Sequence, residues 1–586
     1  MDKLPEVTWS LMHPTPLNVD YMKRVIAEAA NYKVDSFEIC AACHTLLGGL
    51  DGLVLYEDYP AVAASLDREG IIANRRRLNE ILELAHASGL PVYYWHREVT
   101  VWPEFLKAVP ELRDANGEFD LLGDAFETLL RYKLAKAFDA VPALDGIVLT
   151  LTEADFSAIH NSTPGIYPPE QVVAKIVRIF AGEHAARGKR FILRSFGSIA
   201  KDYEDILAGA ALAAKEFSFE VETKITPYDF DPFLPDNPFM KRIPNLTLGA
   251  ECDSLGEFLG AGYLPAENVE NIVRYVRWGQ KCGVDRFTIR LDRIGNNIFD
   301  SYPVNLFAYE QAILNPGISA QEIRRRYAEA HYPASCRKEL EELGAAGYEV
   351  VTKLHYIDHH LIFHQFPLQA DLKWIKAGGI FGVFKDHRKL NLLNGIWSIL
   401  SERTTPGRER ILREKEEALA LAEKNLARVE KLRPELSEAE SLRLKRLWSN
   451  AVTAGKAIGS FVRVVCAYFD DMEAGREEAP GMEAAIASMK ETLLPLMTHP
   501  GEFEVASAEF VNGMDHHVFT VAGNDLDQVY LKPLLGIVQL LRAEYRAEFE
   551  ARKKAGALPG VVDFIIPAES RMNAAADASC TRAMRF

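Results

Sequence analysis

Three acidic residues each follow an apolar segment that is typical of a β-strand. Glu153 follows GIVLTLT, Asp229 follows FSFEVETKITPY, and Glu257 lies a few residues beyond LTLGAE. Polar groups at the carboxyl ends of the strands of an α/β barrel converge on one pocket, where carboxyl groups can exchange protons with a substrate. The alternative is that all three are solvated loop carboxylates or helix caps. We predict that these three residues are catalytic.

The elements that must position these acids are eight short runs rich in β-branched and aromatic residues. The runs alternate with amphipathic stretches of helical period, a pattern typical of parallel strands joined by helical crossovers. Several of the helical stretches open with Asn or Pro and close at Gly, as helix ends require. Eight β/α repeats predict a TIM (β/α)8 barrel. The runs cover residues 7–13, 36–40, 92–98, 146–151, 191–196, 217–224, 246–251 and 286–292.

The strand signal nearly vanishes beyond Pro333, where the sequence becomes rich in Ala, Glu, Leu, Lys and Arg. Acidic and basic residues at i,i+4 spacing predict two long helices that are interrupted at Pro434. The last thirty or so residues combine Gly, Pro and small polar residues, which is typical of a chain end with little fixed structure. We therefore expect three units, which are a catalytic barrel over 1–333, an all-α C-terminal domain over 334–555 and a flexible tail over 556–586.

Several motifs of the barrel segment occur in a specific order. VETKITPYDFDPF leads into LTLGAECDSLGEFLG, so that Asp229 and Glu257 are separated by 28 positions, and GIVLTLTEADFS and FILRSF precede them. In order and spacing these motifs resemble glycoside hydrolase family 67, the α-glucuronidases. The similarity covers about residues 20–330 and does not include the N-terminal domain that precedes the barrel in that family.

The resemblance implies an exo-acting, inverting α-glucuronidase that removes a terminal uronic acid from oligosaccharides and needs no metal or cofactor. In such a reaction one protonated acid donates to the leaving oxygen, while a carboxylate on the opposite face activates water. The resemblance assigns the acid to Glu153 and the handling of water to Asp229 and Glu257. Either of the last two can be the base, with the other orienting water or shifting the pKa of its partner.

The resemblance also implies which residues bind the substrate. A buried glucuronate carboxylate must be paired with cations, and Arg194 and Lys224 match two cations of the family. For Arg194 the alternative is an ion pair with a carboxylate of the barrel itself. A third family cation is replaced here by Leu149, which keeps open a hydrolase for a different glycone on the same barrel. Glu251 falls where the family has a further acid. Aromatic and polar residues at the strand ends together suit a sugar pocket, although each of them taken alone more often serves packing or loop capping; they are Trp95, His96, Arg97, Trp102, His13, Asn296, Asn297 and Asp300.

Two other patterns raise the question of a metal. Cys40 and Cys43 form a single CxxC beside His44, and four histidines follow in KLHYIDHHLIFHQF; packing or an interface is the favoured interpretation of both. The competing enzyme hypothesis is a metal-dependent sugar isomerase or epimerase. The non-enzymatic alternative is a sugar-binding barrel. The candidate isomerase ligands are Glu153, Asp229, Glu251 and His96, and the clustered histidines are His355, His359, His360 and His364.

Composition narrows the range of partners. The chain has 586 residues, and its net charge of −16 disfavours nucleic acid and anionic membrane surfaces as partners. The sequence contains neither a secretory signal pattern nor 18 uninterrupted apolar positions, and its seven cysteines are few and mostly scattered. We therefore expect a cytoplasmic enzyme that acts on an oligosaccharide substrate, and a homodimer by analogy with the resembling family.

Overall fold

A computed structural model of the chain describes residues 4–12, 17–40, 49–152, 154, 158–159, 167–197, 200–227, 230–293, 296–357, 360–362, 405–497 and 526–554. Eight parallel strands close into a barrel in chain order, and β1 pairs with β8. The predicted TIM (β/α)8 fold is thus confirmed. The strands are β1 Glu6–Leu11, β2 Ser36–Ile39, β3 Val92–Arg97, β4 Gly146–Thr150, β5 Arg190–Arg194, β6 Glu220–Lys224, β7 Thr247–Asp253 and β8 Arg286–Arg290.

Helices cover the outside of the barrel, and local sequence signals set their ends. The Asn18 side chain accepts a hydrogen bond from the backbone N–H of Tyr21 at the start of the first helix, and Gly188 adopts φ +63° after the sixth helix. The helices are α1 Val19–Ala29, α2 Pro60–Ala63, α3 Arg68–Ala87, α4 Phe105–Ala108, α5 Asp124–Ala140, α6 Pro169–Arg187, α7 Ala200–Ala213 and α8 Val269–Lys281.

The described part of the chain after β8 is mostly helical. A hairpin of two-residue strands, β9 Asp292–Arg293 and β10 Asn296–Asn297, is followed by α9 Val304–Leu314, α10 Ala320–His331 and α11 Arg337–His355. A second small hairpin, β11 Tyr356–Ile357 and β12 His360–Leu361, comes next. The remaining helices are α12 Thr405–Leu432, α13 Glu438–Glu473, α14 Pro480–Leu493 and α15 Lys532–Lys554. The barrel is thus followed by an all-α region, as predicted, while the proposed tail over 556–586 lies outside the described residues.

The predicted pair of long helices interrupted at Pro434 is confirmed as α12 and α13. The residues between them, Arg433–Glu435, form a single 3-10 turn, and Ser437 caps α13 by accepting a hydrogen bond from the backbone N–H of Glu440. Over an 18-residue window α13 is long and apolar enough to cross a membrane, but 61% of that window is buried inside the protein. This burial is typical of a core helix.

The helical region packs directly on the loops of the barrel. From α13, the Asn450 amide donates a hydrogen bond of 2.9 Å to the carbonyl of Tyr263. The guanidinium groups of Arg443 and Arg446 donate to the carbonyls of Ser301 and Asp300. The contacted residues follow β7 and β8, so the helices bear on the part of the barrel where a TIM-barrel site is expected.

Candidate active site

Charged side chains occupy the inside of the barrel. Arg194 on β5 donates a hydrogen bond of 2.7 Å to Glu38 on β2, and Arg190 on β5 donates one of 2.8 Å to Glu6 on β1. Strand β5 is a neighbour of neither β1 nor β2 in the barrel, so both bonds cross its interior. Since side chains alternate between the two faces of a strand, the residues two positions away also point inward.

The interior charges are arranged in layers along the barrel axis. In the layer nearer the amino ends of the strands, Arg286 donates to Glu220 and, at 2.7 Å, to Glu222. In the layer above it, Arg194 pairs with Glu38 and with Glu222, whose Oε1 lies 2.7 Å from the arginine Nε. All these groups are almost completely buried, and buried charges are tolerated only when they are paired.

Arg194 was predicted to bind a uronate carboxylate, and the structure shows that protein carboxylates surround it. Besides Glu38 and Glu222 it contacts Glu251, with an N–O distance of 3.4 Å. Only 2% of the residue is exposed. Its guanidinium is therefore a component of the internal ionic network, and the geometry supports that role rather than sugar binding.

Beyond these two layers, nearer the barrel mouth, lie the carboxylates of Glu251 and Glu257. Arg290, at the end of β8, donates to Oε1 of Glu251 at 2.7 Å and to Oε2 of Glu257 at 3.3 Å. Arg293 pairs with the other oxygen of Glu257. Two guanidinium groups thus stabilise the ionised form of Glu257, which is fully buried.

The pKa of Glu251 is clearly shifted from the ordinary value of a glutamate. Burial disfavours its charged form, but the nearby cations, with Arg194 and Arg290 foremost, outweigh burial and lower the pKa of Glu251 to about 2. Its Oε2 atom is buried and accepts no hydrogen bond from the described part of the chain. Glu251 is therefore ionised at neutral pH and has an oxygen that can accept from a sugar hydroxyl or a water.

The depressed pKa of Glu251 predicts a pH-dependent loss of stability. The unfolded carboxyl takes up a proton near its ordinary value of 4.5, whereas the folded one stays ionised down to about pH 2. We expect the difference in unfolding free energy between the wild type and Glu251→Gln to be full above about pH 4.5 and to shrink as pH falls towards 2. Urea unfolding of both proteins over this range measures it, and a difference independent of pH would contradict the assignment.

Glu257 is fixed by a tight turn directly after β7. The Asp253 carboxylate accepts hydrogen bonds from the backbone N–H groups of Gly256, at 2.7 Å, and Glu257, at 2.8 Å. Gly256 adopts φ +80°, a left-handed conformation that glycine reaches without strain. The Asn305 amide braces the same loop by donating to the carbonyls of Ser254 and Ala266. Glu257 is therefore held on a rigid support, as a catalytic group requires.

Lys224 ends β6 beside this cluster. Its ammonium lies 3.8 Å from the centroid of the Phe196 ring and 5.4 Å from that of Phe230. The Arg290 guanidinium lies 4.9 Å from the same Phe230 ring. Phe230 is the residue after Asp229 and thereby brings the loop of that predicted base to two cations of the barrel mouth. A cation so placed is suited to an anionic sugar group.

Trp95 and His96 are consecutive and point to opposite sides of β3. Trp95 packs inside the barrel with Ile192 and donates a hydrogen bond of 2.7 Å from Nε1 to Thr150, while Arg97 lies 4.5 Å over its ring. The His96 ring stacks on Phe180 of α6, outside the barrel. The structure thus places Trp95 with the interior residues and does not bring His96 to the barrel mouth.

The asparagines after β8 serve the local structure. The Asn296 amide donates to the carbonyl of Ala261 at 3.3 Å, which connects the β9–β10 hairpin to the loop carrying Glu257. Asn297 caps the following turn by accepting from the backbone N–H of Asp300, and the Asp300 carboxylate binds Arg24. The predicted sugar contact of Asn296 remains a prediction, while Asn297 and Asp300 have the capping role that was its alternative.

Two of the three predicted catalytic acids, Glu153 and Asp229, lie outside the described residues, as does His13. Leu149, the position where the family 67 cation is missing, belongs to the core between the strands and the helices, whereas its neighbour Val148 packs inside the barrel. The substitution at Leu149 therefore removes no charge from the barrel interior. The prediction that Glu153 is catalytic still depends on its position in the sequence, just after β4.

The described part of the proposed isomerase metal site does not form one centre, because Glu251 lies inside the barrel and His96 outside it. Instead, Asp51, His96 and Glu98 bring their ligand atoms within 4.8 Å of one another. The Lys133 ammonium lies 2.9 Å from carboxylate oxygens of both Asp51 and Glu98. Lys133 thus supplies the cation that this buried acidic group requires.

The clustered histidines are described only in part. His359 and His364 lie outside the described residues, and the His360 side chain is likewise not described. Burial lowers the pKa of His355 to about 4, and its Nε2 lies 2.9 Å from the Tyr530 hydroxyl. His355 is therefore a neutral core residue. Cys40 packs against Tyr93 and Trp95, while Cys43 and His44 are outside the described residues.

Arg290 and Arg293, which both bind Glu257, were not among the residues predicted from the sequence. Arg290 stands at the end of the eighth predicted strand, in RFTIRLD, and satisfies the same positional criterion that selected the three acids. Arg293 lies three residues further along, just beyond the predicted strand, and nothing in the sequence there indicates a functional residue. A cation at the end of a predicted strand is the sequence feature that indicates Arg290.

Comparisons with known proteins agree with this fold. No protein-family model matches the chain, and no curated protein matches it. A solved GH138 enzyme targeting pectin rhamnogalacturonan II is similar with a TM-score of 0.57 and 11% identity, over 94% of this chain and 69% of that one. A GH115 4-O-methyl-α-glucuronidase with specificity for decorated arabinogalactans gives 0.45 and 10%, over 89% and 62%. The first likeness shows a shared glycoside hydrolase-like fold, and the second is too low to carry an argument.

Proposed function

We propose that this protein is a glycoside hydrolase whose active site is the mouth of the barrel, and that it is an exo-acting, inverting enzyme of the α-glucuronidase type. The observation that carries the proposal is the position of Glu257. Its buried carboxylate stands after β7 between Arg290 and Arg293, on a loop that Asp253 holds rigidly. A fixed carboxylate at this end of a TIM barrel is what hydrolysis by water requires.

The charges around Glu257 support a role for it on the water side of the reaction. Two guanidinium groups favour its ionised form, which can accept a proton from water or orient water but cannot protonate a leaving group. In the proposed mechanism Glu153 donates the proton to the glycosidic oxygen. Asp229 is proposed to share the handling of water with Glu257, because Phe230, the next residue in the chain, has its ring 4.9 Å from the guanidinium of Arg290, which binds Glu257.

The glycone is proposed to be acidic because cations collect at the same place. Lys224 lies at the end of β6 near Arg290, and its ammonium contacts aromatic rings that also offer an apolar surface to a sugar. Glu251 presents one oxygen with no hydrogen bond from the described residues, which suits a sugar hydroxyl. We propose that Lys224 binds the uronate carboxylate and that Glu251 accepts from a hydroxyl of the same sugar.

One observation favours a second candidate, a hydrolase for a different glycone. Arg194, the other cation predicted for the uronate, is fully occupied by protein carboxylates. With one of the two predicted cations engaged, a neutral sugar or a differently substituted acid also fits the site. The similar GH138 enzyme targets pectin rhamnogalacturonan II, so pectic oligosaccharides belong among the substrates to be tested.

The decisive experiment is a screen of the purified full chain against p-nitrophenyl glycosides and oligosaccharides of both anomers, including glucuronides and pectic fragments. NMR of the first-formed product distinguishes inversion from retention. We expect release of a terminal uronic acid with inverted configuration. Retention would remove the proposed water-activating role of Glu257, and absence of hydrolysis of every glycoside would overturn the proposed function.

Replacing Lys224 tests the nature of the glycone. We expect Lys224→Ala to lower kcat/KM for a uronide by about 10 to 10²-fold, the value of one charge-assisted hydrogen bond, and to change that for the matching neutral glycoside far less. Lys241→Ala is the matched control. Lys241 is an exposed lysine in the loop that follows β6, and its ammonium lies over the aromatic ring of Phe239. Equal losses on the two substrates would show that Lys224 does not recognise the carboxylate.

A further inference from the structure

The helical region reaches both loops that carry the proposed water-activating residues. The loop after β6, residues 225–246, contains Asp229, and the loop after β7, residues 254–268, contains Glu257. Tyr356, in the short strand β11 after α11, places its hydroxyl 3.1 Å from Oδ2 of Asp231 and 3.4 Å from the carbonyl oxygen of Phe258. Asp231 is two residues from Asp229, and Phe258 is adjacent to Glu257. One hydroxyl thus contacts both loops.

Tyr356 is itself firmly held. Its ring packs edge-on against Phe233 of the β6 loop with centroids 4.8 Å apart, and its carbonyl accepts a hydrogen bond from the Lys415 ammonium of α12. Only 3% of the residue is exposed. Burial, with the adjacent Asp231 carboxylate, raises the pKa of Tyr356, so the hydroxyl remains a donor at any ordinary pH.

The neighbouring residue reinforces the contact with the β7 loop. His355 Nδ1 lies 3.3 Å from the carbonyl oxygen of Phe258, which can only accept, so the neutral ring donates there and accepts from Tyr530 at Nε2. The helix α11 approaches the same loop closely, since a Cβ added to Gly347 would lie 1.9 Å from the carbonyl oxygen of Pro265. The β7 loop therefore has little freedom to move relative to α11.

We propose that Tyr356 is a positioning residue that fixes the β6 and β7 loops relative to each other, and so fixes Glu257 relative to the β6 loop. The inference rests on the proposed function for its catalytic consequence. Beyond the last paired positions, Lys224 and Glu251, the two strands diverge into separate loops. A single donor shared by the two loops restricts their separation, and a misplacement of about 1 Å costs about 10²-fold in rate.

The kinetic test is Tyr356→Phe in the full chain. We expect kcat for the substrate found in the screen to fall by about 10 to 10²-fold while KM changes by less than about twofold. The control is Tyr545→Phe, which removes a buried hydroxyl that donates to the Arg476 carbonyl within the helical region at 2.8 Å. The control should lose a similar amount of thermal stability and keep its kcat. An unchanged kcat in Tyr356→Phe would overturn the inference.

Amide hydrogen exchange tests the same inference without any substrate. In Tyr356→Phe we expect exchange in residues 230–237 and 254–264 to become at least about fivefold faster, as the loss of one buried hydrogen bond predicts, while strands β1 to β5 keep wild-type rates. Tyr545→Phe should change neither loop. Unchanged exchange in both loops would overturn the inference even for an active enzyme. Faster exchange in a protein that hydrolyses no glycoside would support the connection of the loops and refute only the proposed function.

Discussion

Glu153→Gln is expected to lower kcat on natural glycosides by about 10² to 10⁴-fold, the contribution of a general acid, and to retain most activity on glycosides with an activated aryl leaving group. A good leaving group departs with little protonation, so removing the proton donor affects it least. Leu151 and Thr152, which precede Glu153 in the chain, are buried just beyond the end of β4. The Thr152 hydroxyl also donates to the Phe196 carbonyl, beside Lys224.

The measurement compares kcat on an oligosaccharide with kcat on the corresponding p-nitrophenyl glycoside for the wild type and the variant. Glu118→Gln serves as the control, because Glu118 is an exposed carboxylate in the loop after β3 and should leave both rates unchanged. Equal losses on the two substrates in Glu153→Gln would refute its assignment as the acid. In that case another carboxyl group would have to protonate the leaving oxygen.

The fold could be predicted from the sequence because the strands of a parallel barrel are buried on both faces and form compact apolar runs. The predicted ends of the strands were less accurate. The run FSFEVETK predicts a strand from residue 217, whereas β6 begins at Glu220. The Phe217 ring instead packs at Gly182 of α6. An apolar residue that covers a helix looks the same in sequence as one that continues a strand.

The interior network could not be predicted, because the inside of a TIM barrel is normally filled by branched apolar side chains. The alternation in FSFEVETK identifies a strand but does not say which face is the inside. Glu220 and Glu222 were therefore passed over, although they bind Arg286 inside the barrel. Arg194 was assigned to the substrate by the family resemblance, and an ion pair with a barrel carboxylate, which was the alternative, is what the structure shows.

For His96 the sequence held more information than the prediction used. Trp95 and His96 are neighbours in one strand, and the period of two puts neighbours on opposite faces. Naming both as sugar contacts at the rim was therefore inconsistent with the strand that contains them. In the structure Trp95 faces the barrel interior, and its sugar contact stays a prediction, whereas His96 accepts a hydrogen bond from the backbone N–H of Leu50 and contacts Glu98.

Arg194→Met is expected to lower the unfolding free energy by about 3 to 5 kcal/mol, because it leaves buried carboxylates without their cation. Arg194 is the shared partner of Glu38, Glu222 and Glu251, which come from three different strands. Without it, like charges face one another in an interior that water does not screen. Urea unfolding followed by tryptophan fluorescence at neutral pH measures the loss, and the Trp95 ring lies 5.8 Å from the Arg194 guanidinium.

The control for Arg194→Met is Arg463→Met, whose pair with Glu416 is exposed and should contribute less than about 1 kcal/mol. The experiment separates the two interpretations of Arg194. A residue that served mainly to bind a uronate would leave stability unchanged when replaced and would lower kcat/KM for uronides alone. A large loss of stability, with Arg194→Lys intermediate because lysine keeps the charge but not the forked geometry, identifies Arg194 as part of the barrel interior. Lys224, rather than Arg194, would then carry the recognition of an acidic sugar.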